Sequence, residues 1–318
     1  MNLWQHYHMP KTVDEALARL REYDGRARVV GGGTDLILEM QQGRKPPVEA
    51  MVDVTAIPDI TQIRVQDGMI EIGAGVTHTE IVKSEVVAQQ ATCLVESCGV
   101  IGGPQVRNVA TLGGNVAHAL PAADGTTALV VLDAEVEVAR TDGRVWRPIL
   151  RLFKGPGISA VDHSRELITR FRFPAGAPGT GSAFKRIMRP QGVALPILAG
   201  AVWVQIADRG LGAGDQEDWP AAIGECVVEE ARICIGPVQP VPVRARQAEQ
   251  ALRGRSLADA LDEVVAEAQA EFTPRTSKHR ATAEYRVEMI EVLLRRALPL
   301  AVRRALTGEA VPEGVGLQ

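Results

Sequence analysis

The sequence is poor in aromatic side chains and has no long apolar run. Aromatic residues make up 4% of its 318 residues, while hydrophobic residues make up 46% and charged residues 23%. This balance is typical of a soluble globular protein and excludes a disordered or collagen-like chain. No apolar run approaches the ~18 residues of a membrane-spanning helix, and Gln5, His6 and His8 stand where a signal peptide needs apolar residues. We therefore expect a cytoplasmic protein without membrane insertion.

The chain also has no large excess of positive or negative charge. The chain has 35 basic and 39 acidic residues, which gives a formal net charge of -4. Such a balance produces no overall field that attracts a polyanion. A nucleic-acid partner is therefore not expected.

Cysteine is scarce too. The chain contains Cys93, Cys98, Cys226 and Cys234, and no pair has the C-x2-C spacing of a zinc or redox site. So few cysteines cannot cross-link a chain of this length, and we interpret them as reduced, buried thiols. Ligation of an iron–sulfur cluster by all four is disfavoured, because the first pair and the second pair fall in different predicted domains. The sequence therefore predicts no metal site on this chain.

The length of the chain is enough for two domains. The Gly- and Pro-rich stretch from Pro174 to Gly181 is the best candidate for a linker. Apolar periodicity predicts a helix from Val13 to Leu20, a helical stretch over 80–90 and a long helix over 281–306. Asp67-Gly68 between short apolar segments predicts a β-hairpin. On the long helix, the arginines expected to face outward are Arg295, Arg296, Arg303 and Arg304.

The first of two glycine-rich turns spans Val30 to Asp35. A predicted strand over 28–30 leads into three successive glycines and then into a short helix. Backbone N–H groups in such a turn can approach an anion because no Cβ stands in the way, and diphosphate is the natural occupant. Thr34 and Asp35 are expected to cap the helix, and the Thr34 hydroxyl can donate to a phosphate oxygen. Alone, the same turn also fits ordinary architecture.

The first turn also imitates a dinucleotide-binding motif. Gly31 and Gly33 fit its first two glycines, and Asp53 follows about twenty residues later. The third glycine position holds Leu36, however, and the helix must end by Gly43, which is too short for a parallel βαβ crossover. A Rossmann-type NAD site is therefore disfavoured.

The second glycine-rich turn spans Thr111 to Asn115 and contains Gly113 and Gly114. Two such turns in one domain suggest a single extended ligand. Asp124 follows at a predicted helix start, where its carboxylate can cap the helix or accept hydrogen bonds from sugar-like hydroxyls. These two roles are compatible.

Both turns belong to a larger set of motifs that extends over nearly the whole chain. The segments are Gly31 to Leu36, Ile101 to Asn108, Thr111 to Asn115 with Asp124, Cys234 to Pro237, Val243 to Ala245 and Ala281 to Arg286. In this order and spacing, the set closely resembles the FAD-binding medium subunit of molybdenum hydroxylases, the carbon monoxide dehydrogenase and xanthine dehydrogenase family.

The resemblance implies an α+β fold. A two-part FAD-binding domain of the vanillyl-alcohol-oxidase/PCMH type would occupy 1–176, with subdomains of about 1–56 and 57–176. A C-terminal α+β domain like that of the CO dehydrogenase flavoprotein would occupy 181–306, followed by a tail over 307–318.

The resemblance also assigns residues to a non-covalently bound FAD. Asp124 would meet the ribityl chain or nearby flavin atoms, and Ile101 and Gln105 would lie near the ring system. Lys185 would contact the reduced ring, although a solvated Lys185 fits the sequence equally well. The chain departs from the family pattern at Gln191 to Val193, which leaves the packing of one flavin face open. The residues assigned to the diphosphate are Val30, Gly31, Gly32, Gly33, Thr34, Asp35, Thr111, Gly113, Gly114 and Asn115.

The function that the resemblance implies is electron relay. A large partner subunit with a molybdenum cofactor would oxidise the substrate, and a small partner with [2Fe-2S] clusters would deliver the electrons to the FAD of this chain. An external acceptor would then take them, in a dimer of heterotrimers. The sequence has no nucleophilic triad, HExxH or P-loop motif, so no catalytic residue is assigned, and His118 is interpreted as a packed or capping histidine.

Two alternatives stay open. The chain can be a stand-alone flavin-dependent reductase of the same superfamily, or a flavin-free interaction subunit that keeps the fold. The 4-hydroxybenzoyl-CoA reductase branch carries an extra iron–sulfur cluster on an insertion, and it is disfavoured because no comparable insertion is visible. The substrate of the complex would be decided on another chain.

Overall fold

The computed structural model describes residues 2–189, 195–207 and 219–314 and divides into two compact units. The units alternate along the chain, because two segments of its N-terminal half belong to the second unit. The first unit comprises Met1–Ile81, Gly103–Leu120 and Asp133–Pro174, and the second comprises Val82–Gly102, Pro121–Leu132 and Ala175–Gln318. The sequential domain bounds expected from the sequence stay a prediction.

The first unit contains most of the strands. They are β1 (His6–His8), β2 (Ala27–Val30), β3 (Ala50–Asp53), β4 (Ile63–Gln66), β5 (Met69–Gly73), β6 (Glu135–Arg140), β7 (Gly143–Pro148), β8 (Phe153–Gly155), β9 (Ile158–Ser159) and β10 (Leu167–Pro174). A three-stranded parallel sheet has the order β1-β3-β2, and a five-stranded antiparallel sheet has the order β4-β5-β10-β6-β7. The strands β8 and β9 pair with each other.

The predicted hairpin joins β4 to β5. Asp67 and Gly68 have φ angles of 51° and 72°. Both are left-handed, as a two-residue type I′ turn requires. The Asp-Gly pair therefore sets the register in which Gln66 lies opposite Met69.

The connection from β2 to β3 corrects one argument from the sequence. The two strands pair in parallel, with Val30 opposite Asp53. The helix in the connection, Leu36–Gln41, is six residues long, as the glycine and proline positions indicated. The expectation that so short a helix rules out a parallel crossover was wrong, because the irregular residues on both sides of the helix complete the connection.

The helices of the first unit are short apart from Val13–Tyr23. The apolar residues Val13, Ala16, Leu17 and Leu20 are buried on one face of that helix, and Thr12 Oγ accepts a hydrogen bond from Glu15 N at its start. This confirms the first predicted helix. The others are Leu36–Gln41, His78–Val82, Pro104–Arg107 and Leu112–Ala117, with 3-10 turns at Pro58–Ile60 and Ile149–Leu152.

The helical stretch predicted over 80–90 is divided in two. One helix is His78–Val82 and the next is Glu85–Gln90. Ser84 has an extended backbone, and its hydroxyl accepts a hydrogen bond from Val87 N at 3.3 Å. Serine at this position therefore starts a new helix instead of continuing the first.

The second unit packs helices on a four-stranded antiparallel sheet. The strands are β11 (Thr180–Ile187), β12 (Leu198–Ile206), β13 (Val227–Gly236) and β14 (Arg255–Ser256), in that order across the sheet. The long C-terminal helix crosses β11 so closely that a Cβ on Gly181 would lie 2.1 Å from Ala301 O. The helices are Glu85–Gln90, Thr92–Gly99, Asp124–Val131, Trp219–Glu225, Arg246–Leu252, Leu257–Glu271 and Ala283–Thr307.

One arginine of the long helix contradicts the predicted outer face. Arg295, Arg296 and Arg303 are exposed as expected, but Arg304 is only 5% exposed. It follows Ala297 and Ala301 on the buried face and donates to Glu96 Oε1 at 2.6 Å. A single buried acid on another segment, which periodicity does not identify, thus places this arginine inside.

All four cysteines are free and buried, as predicted. Both cysteine pairs lie in the second compact unit, whereas the domain division that separated them in the sequence analysis stays a prediction. Burial raises the pKa of Cys93 and of Cys234 to about 12, which keeps these thiols protonated. Within the described ranges, no group of three or more His, Cys, Asp or Glu residues can hold a metal ion. No described helix is both long and apolar enough to span a bilayer.

Candidate functional site

The two glycine-rich turns, both in the first unit, contact each other. A Cβ on Gly31 would lie 3.0 Å from Thr111 Oγ, so the start of the first turn packs directly on the start of the second. Gly32 packs against Val109 and Ala110, the residues that precede the second turn. The fold therefore unites two segments that are about eighty residues apart in sequence.

The structure corrects the reason for one of the glycines. From the sequence, the missing Cβ is expected to leave room for an anion. A Cβ on Gly32 would instead lie 1.9 Å from Val109 O, an overlap with the protein's own backbone. Gly33 has a φ of 69°, which disfavours other residues. Close packing and backbone conformation therefore require these two glycines.

Unpaired polar atoms mark this pair of turns as a place for a ligand. In the described part of the chain, no atom accepts a hydrogen bond from the N–H groups of Gly31 to Thr34. The side-chain oxygen Oδ1 of Asn115 is buried and also lacks a partner there. Buried or clustered polar groups without partners cost free energy unless water or a ligand satisfies them. Successive N–H donors suit phosphate oxygens.

The second turn is held by a segment that sequence reasoning missed. Leu112 N donates to Val76 O at 3.0 Å, and Gly113 N donates to Ala74 O at 2.9 Å. The hydroxyl of Thr111, assigned to FAD, accepts from Gly114 N at 3.0 Å and so caps the following helix. A signal for the supporting segment exists in the sequence, because Ala74 and Val76 alternate with two glycines, Gly73 and Gly75.

The expected caps of the helix after the first turn are not formed. Asp35 occupies the N-cap position, but its side chain makes no capping hydrogen bond. Its carboxylate lies 3.5 Å from Nδ1 of His118, whose Nε2 lies 3.1 Å from Glu39 Oε1. Burial raises the pKa of Glu39, but hydrogen bonds from Lys45 and His118 lower it overall. His118, whose side chain is only 14% exposed, is thus packed between Asp35 and Glu39.

Asp53, the residue that imitated the dinucleotide motif, has other partners. Its carboxylate accepts from Tyr7 Oη at 2.6 Å and from Thr55 N and Oγ at 2.8 and 2.7 Å. Burial, together with the hydrogen bond to Asp53, raises the pKa of Tyr7 to about 12. The carboxylate therefore stabilises the β1-β3 edge and its acceptors are occupied.

Asp124 lies in the second unit as the first residue of the helix Asp124–Val131. It makes no capping bond, which corrects one of its two expected roles. Its Oδ2 pairs with Arg186 Nη1 at 2.7 Å, whereas its buried Oδ1 has no partner in the described residues. Burial raises the pKa of Asp124 to about 7, although Arg186 opposes this effect. A free buried oxygen of this kind fits a hydroxyl donor.

Lys185 is partly exposed and forms an ion pair. Its Nζ lies 2.6 Å from Glu313 Oε2, in the segment predicted to be a tail. Ile101, in the same unit, is half-buried, whereas Gln105 is exposed in the first unit. The predicted departure at Gln191 to Val193 lies outside the described residues.

Comparison with known proteins identifies the family. The model described as the FAD binding domain in molybdopterin dehydrogenase matches residues 3–176. The chain belongs to this family. The CO dehydrogenase flavoprotein C-terminal domain matches residues 182–301 of this molybdopterin dehydrogenase FAD subunit. The family and the two-part α+β fold predicted from the sequence are therefore confirmed.

Relatives and solved structures match this chain over almost its full length. The chain is 31% identical to the carbon monoxide dehydrogenase medium chain of Afipia carboxidovorans, over 94% of this chain and 97% of the relative. It is 27% identical to the xanthine dehydrogenase FAD-binding subunit of Escherichia coli O157:H7, over 94% of this chain and 96% of that relative. A structure of carbon monoxide dehydrogenase from Hydrogenophaga pseudoflava, which lacks the Mo-pyranopterin moiety, superposes with a TM-score of 0.83 at 28% identity, over 94% and 97%.

These matches fix the general role of the chain. It is an FAD-binding medium subunit of the carbon monoxide and xanthine dehydrogenase type of molybdenum hydroxylase, and hence an oxidoreductase. The predicted cofactor, FAD, is confirmed by the matching domain. The residues that contact it stay a prediction.

Proposed function

We propose that this chain carries FAD as an electron relay, with the two glycine-rich turns as the cradle of the diphosphate. When bound, FAD accepts single electrons and releases them in pairs. The chain would receive electrons from [2Fe-2S] clusters of a small partner and give them to an external acceptor. A large partner with a molybdenum cofactor would oxidise the substrate, in a cytoplasmic dimer of heterotrimers.

The run of N–H groups from Gly31 to Thr34, which have no acceptor among the described residues, carries this proposal. A diphosphate offers several anionic oxygens along one line, and a line of backbone donors recognises them without a charged side chain. Thr111 already uses its oxygen as a helix cap, so its hydroxyl hydrogen is what it would offer a phosphate. Asn115 would contribute at the second turn, where its Oδ1 suits a ligand donor such as a ribose hydroxyl.

In the second unit, the resemblance assigns Ile101, Asp124 and Lys185 to the flavin half of the cofactor. The unpaired Oδ1 of Asp124 supports its assignment, because a ribityl hydroxyl is the donor that this oxygen lacks. When FAD binds, the ammonium of Lys185 would leave Glu313 and contact the flavin ring, or it would contact both. The names of relatives such as the medium chain of carbon monoxide dehydrogenase support the larger and smaller partners.

Gly114→Ala tests the cradle. Gly114 is exposed in the helix Leu112–Ala117, and its Cβ would meet only Thr111 Oγ, at 3.2 Å. Alanine also favours the helix, so the variant should fold. The methyl group would stand where phosphate approaches, and we expect FAD affinity to fall at least about tenfold, the weight of one hydrogen bond to a charged group. Flavin absorbance per mole of protein and FAD titration of stripped protein measure this effect.

Gly224→Ala is the matched control, because its Cβ would meet Ala258 Cβ at an ordinary 3.4 Å, in a helix of the second unit. It should bind FAD like the wild type. A folded Gly114→Ala variant with unchanged FAD content would show that the turns do not hold the diphosphate. A wild-type protein that takes up no FAD would favour the interaction subunit, and turnover by the isolated chain would favour the stand-alone reductase.

A further inference from the structure

The buried ion pair of Arg186 and Asp124 lies in the second unit and connects two segments that are assigned to the flavin half of FAD. Arg186 belongs to β11, and its side chain is only 6% exposed. Its Nη1 donates to Asp124 Oδ2 at 2.7 Å and to Val100 O at 2.9 Å. One guanidinium nitrogen thus joins Asp124 to the residue that precedes Ile101.

The pair leaves Asp124 with one occupied and one free oxygen. Arg186 holds Oδ2, whereas the buried Oδ1 has no partner among the described residues. An ionised carboxylate accepts a hydrogen bond more strongly than the neutral acid does, so the ionised form suits a ribityl hydroxyl better. Burial raises the pKa of Asp124 and the guanidinium opposes this effect, which places the pKa at about 7. Arg186 therefore decides how much of the better acceptor exists near neutral pH.

The elements around Asp124 bring no second charge to bear on it. Its helix packs on the helix Thr92–Gly99, on β12 and on β13. Cys98 lies close enough to feel the charge of Asp124, and burial together with that charge raises the pKa of this thiol, which stays uncharged. The other titratable or charged groups on these elements are Cys93, Glu96, Glu229, Glu230, Arg232 and Cys234. Among the described residues, the pKa of Asp124 depends on its burial and on Arg186.

We propose that Arg186 is a positioning residue for the bound flavin, because it keeps Asp124 ionised with Oδ1 free to accept from a ribityl hydroxyl. Arg186 acts on FAD through Asp124. The inference rests on the proposed function and deepens it, since it makes the affinity for FAD depend on pH. The ionised form binds FAD more tightly, so the affinity rises as the pH rises through about 7.

Titration of the flavin-stripped protein with FAD between pH 5.5 and 8.5, followed by flavin fluorescence, tests the proposal. Asp124→Asn is the reference, because its side chain cannot ionise. Relative to this variant, the FAD affinity of the wild type should rise about fivefold across the range, the difference between a charged and a neutral acceptor. Other titrating groups, such as His118, are common to both proteins and cancel in the ratio.

Variants of Arg186 separate charge from packing. Arg186→Met should move the midpoint of this rise upward by at least about one pH unit, because a neighbouring opposite charge lowers a carboxyl pKa by that much. Its FAD affinity should be about twofold lower or more at pH 7.5 and close to the wild type at pH 5.5, where Asp124 is protonated in both proteins. Arg186→Lys keeps the charge and should keep the midpoint.

Arg232→Met is the matched control. Arg232 lies in the same sheet, its side chain is 15% exposed, and its Nε lies 2.8 Å from a carboxylate oxygen of Glu230. Because this pair does not include Asp124, the variant should leave the pH profile of FAD binding unchanged.

Three results would overturn the proposal. The first is a wild-type profile parallel to that of Asp124→Asn. The second is an affinity of Arg186→Met that falls by the same factor at every pH, as a merely structural role requires, and the third is an equal midpoint shift in Arg186→Lys. If Arg186→Met does not fold, Arg186→Gln replaces it, since its amide can donate to Val100 O without a charge.

The same titration separates this inference from the proposed function. A wild type that binds no FAD at any pH contradicts both. A wild type that binds FAD with a constant affinity ratio to Asp124→Asn contradicts only the role of Arg186. The comparison of these two proteins needs neither variant of Arg186.

Discussion

Two groups of polar atoms, one in each unit, differ in how completely they are paired. In the second unit, Glu96 accepts from Arg304 Nη2 at 2.6 Å and from Phe184 N at 2.7 Å, and Arg304 Nη1 donates to Ser182 O at 2.7 Å. In the first unit, the N–H groups from Gly31 to Thr34 have no acceptor among the described residues. The charged side chains of Glu96 and Arg304 thus find hydrogen-bond partners within the protein, whereas the uncharged backbone N–H groups of the first turn do not find them among the described residues.

The difference separates framework from binding site. A buried ion pair with its remaining hydrogen bonds made holds segments together, here β11, the long helix and the chain around Val311 and Glu313. A row of backbone donors without acceptors contributes nothing to that framework and gains its partners only from water or a ligand. Charge and burial alone would have pointed to Glu96 and Arg304 as the functional residues.

The largest effect expected from this comparison is on Arg304. Arg304→Met leaves the carboxylate of Glu96 buried without its cation, and we expect a loss of about 3–5 kcal/mol in the free energy of unfolding. Arg303→Met is the matched control: the neighbouring side chain is half-exposed and pairs with the exposed Glu309, so its loss should stay below about 1 kcal/mol. Urea denaturation of both variants measures the contrast. Equal losses would remove the distinction between the paired cluster and the surface.

Asp124 is the intermediate case, with one oxygen paired and the other free. Its pKa of about 7 lies above the ordinary 3.8, because burial disfavours the charged form. The folded state therefore keeps the proton to higher pH than the unfolded state does. The stability that the protonated Asp124 contributes is fully present below pH 3.8 and is lost as the pH rises through about 7. The shift corresponds to a loss of up to about 4 kcal/mol across that range.

Asp124→Asn cannot ionise and should lack this slope. The test is the free energy of unfolding of the flavin-free wild type and variant between pH 4 and 8. The variant should gain relative to the wild type as pH rises, since other titrating groups cancel in the difference. Parallel curves would mean that Asp124 is ionised throughout, and that it belongs with the fully paired cluster.

Local chemistry explains what could be predicted from the sequence. Three glycines after a strand, the Asp67-Gly68 turn and the apolar stripe from Val13 to Leu20 each specify structure within a few residues. The long helix over 283–307 follows from periodicity in the same way. The family motifs added the pairing of the two turns, which no single turn indicates.

What could not be predicted depends on distant partners. Arg304 is buried because Glu96 lies opposite it, more than two hundred residues earlier in the chain. Gly32 is needed because Val109 O occupies the space of its Cβ. Asp35 turns toward His118 instead of its own helix. In each case a long-range contact overrides a local preference, and the sequence pattern contains only the preference.

The smallest expected effect concerns Glu313, at the margin of the paired cluster. Its backbone N donates to Glu96 Oε1 at 2.8 Å, while its half-exposed carboxylate pairs with Lys185. The hydrogen bond from Lys185 lowers the pKa of Glu313, so the side chain contributes stability above its ordinary pKa of 4.5 and loses it as pH falls. Glu313→Gln keeps the backbone bond and should cost less than about 1 kcal/mol at pH 7. Urea denaturation at pH 7 and pH 4, with Glu309→Gln as the control, checks this; a cost near that of Arg304→Met would place the Lys185 pair inside the framework and argue against its release to a flavin.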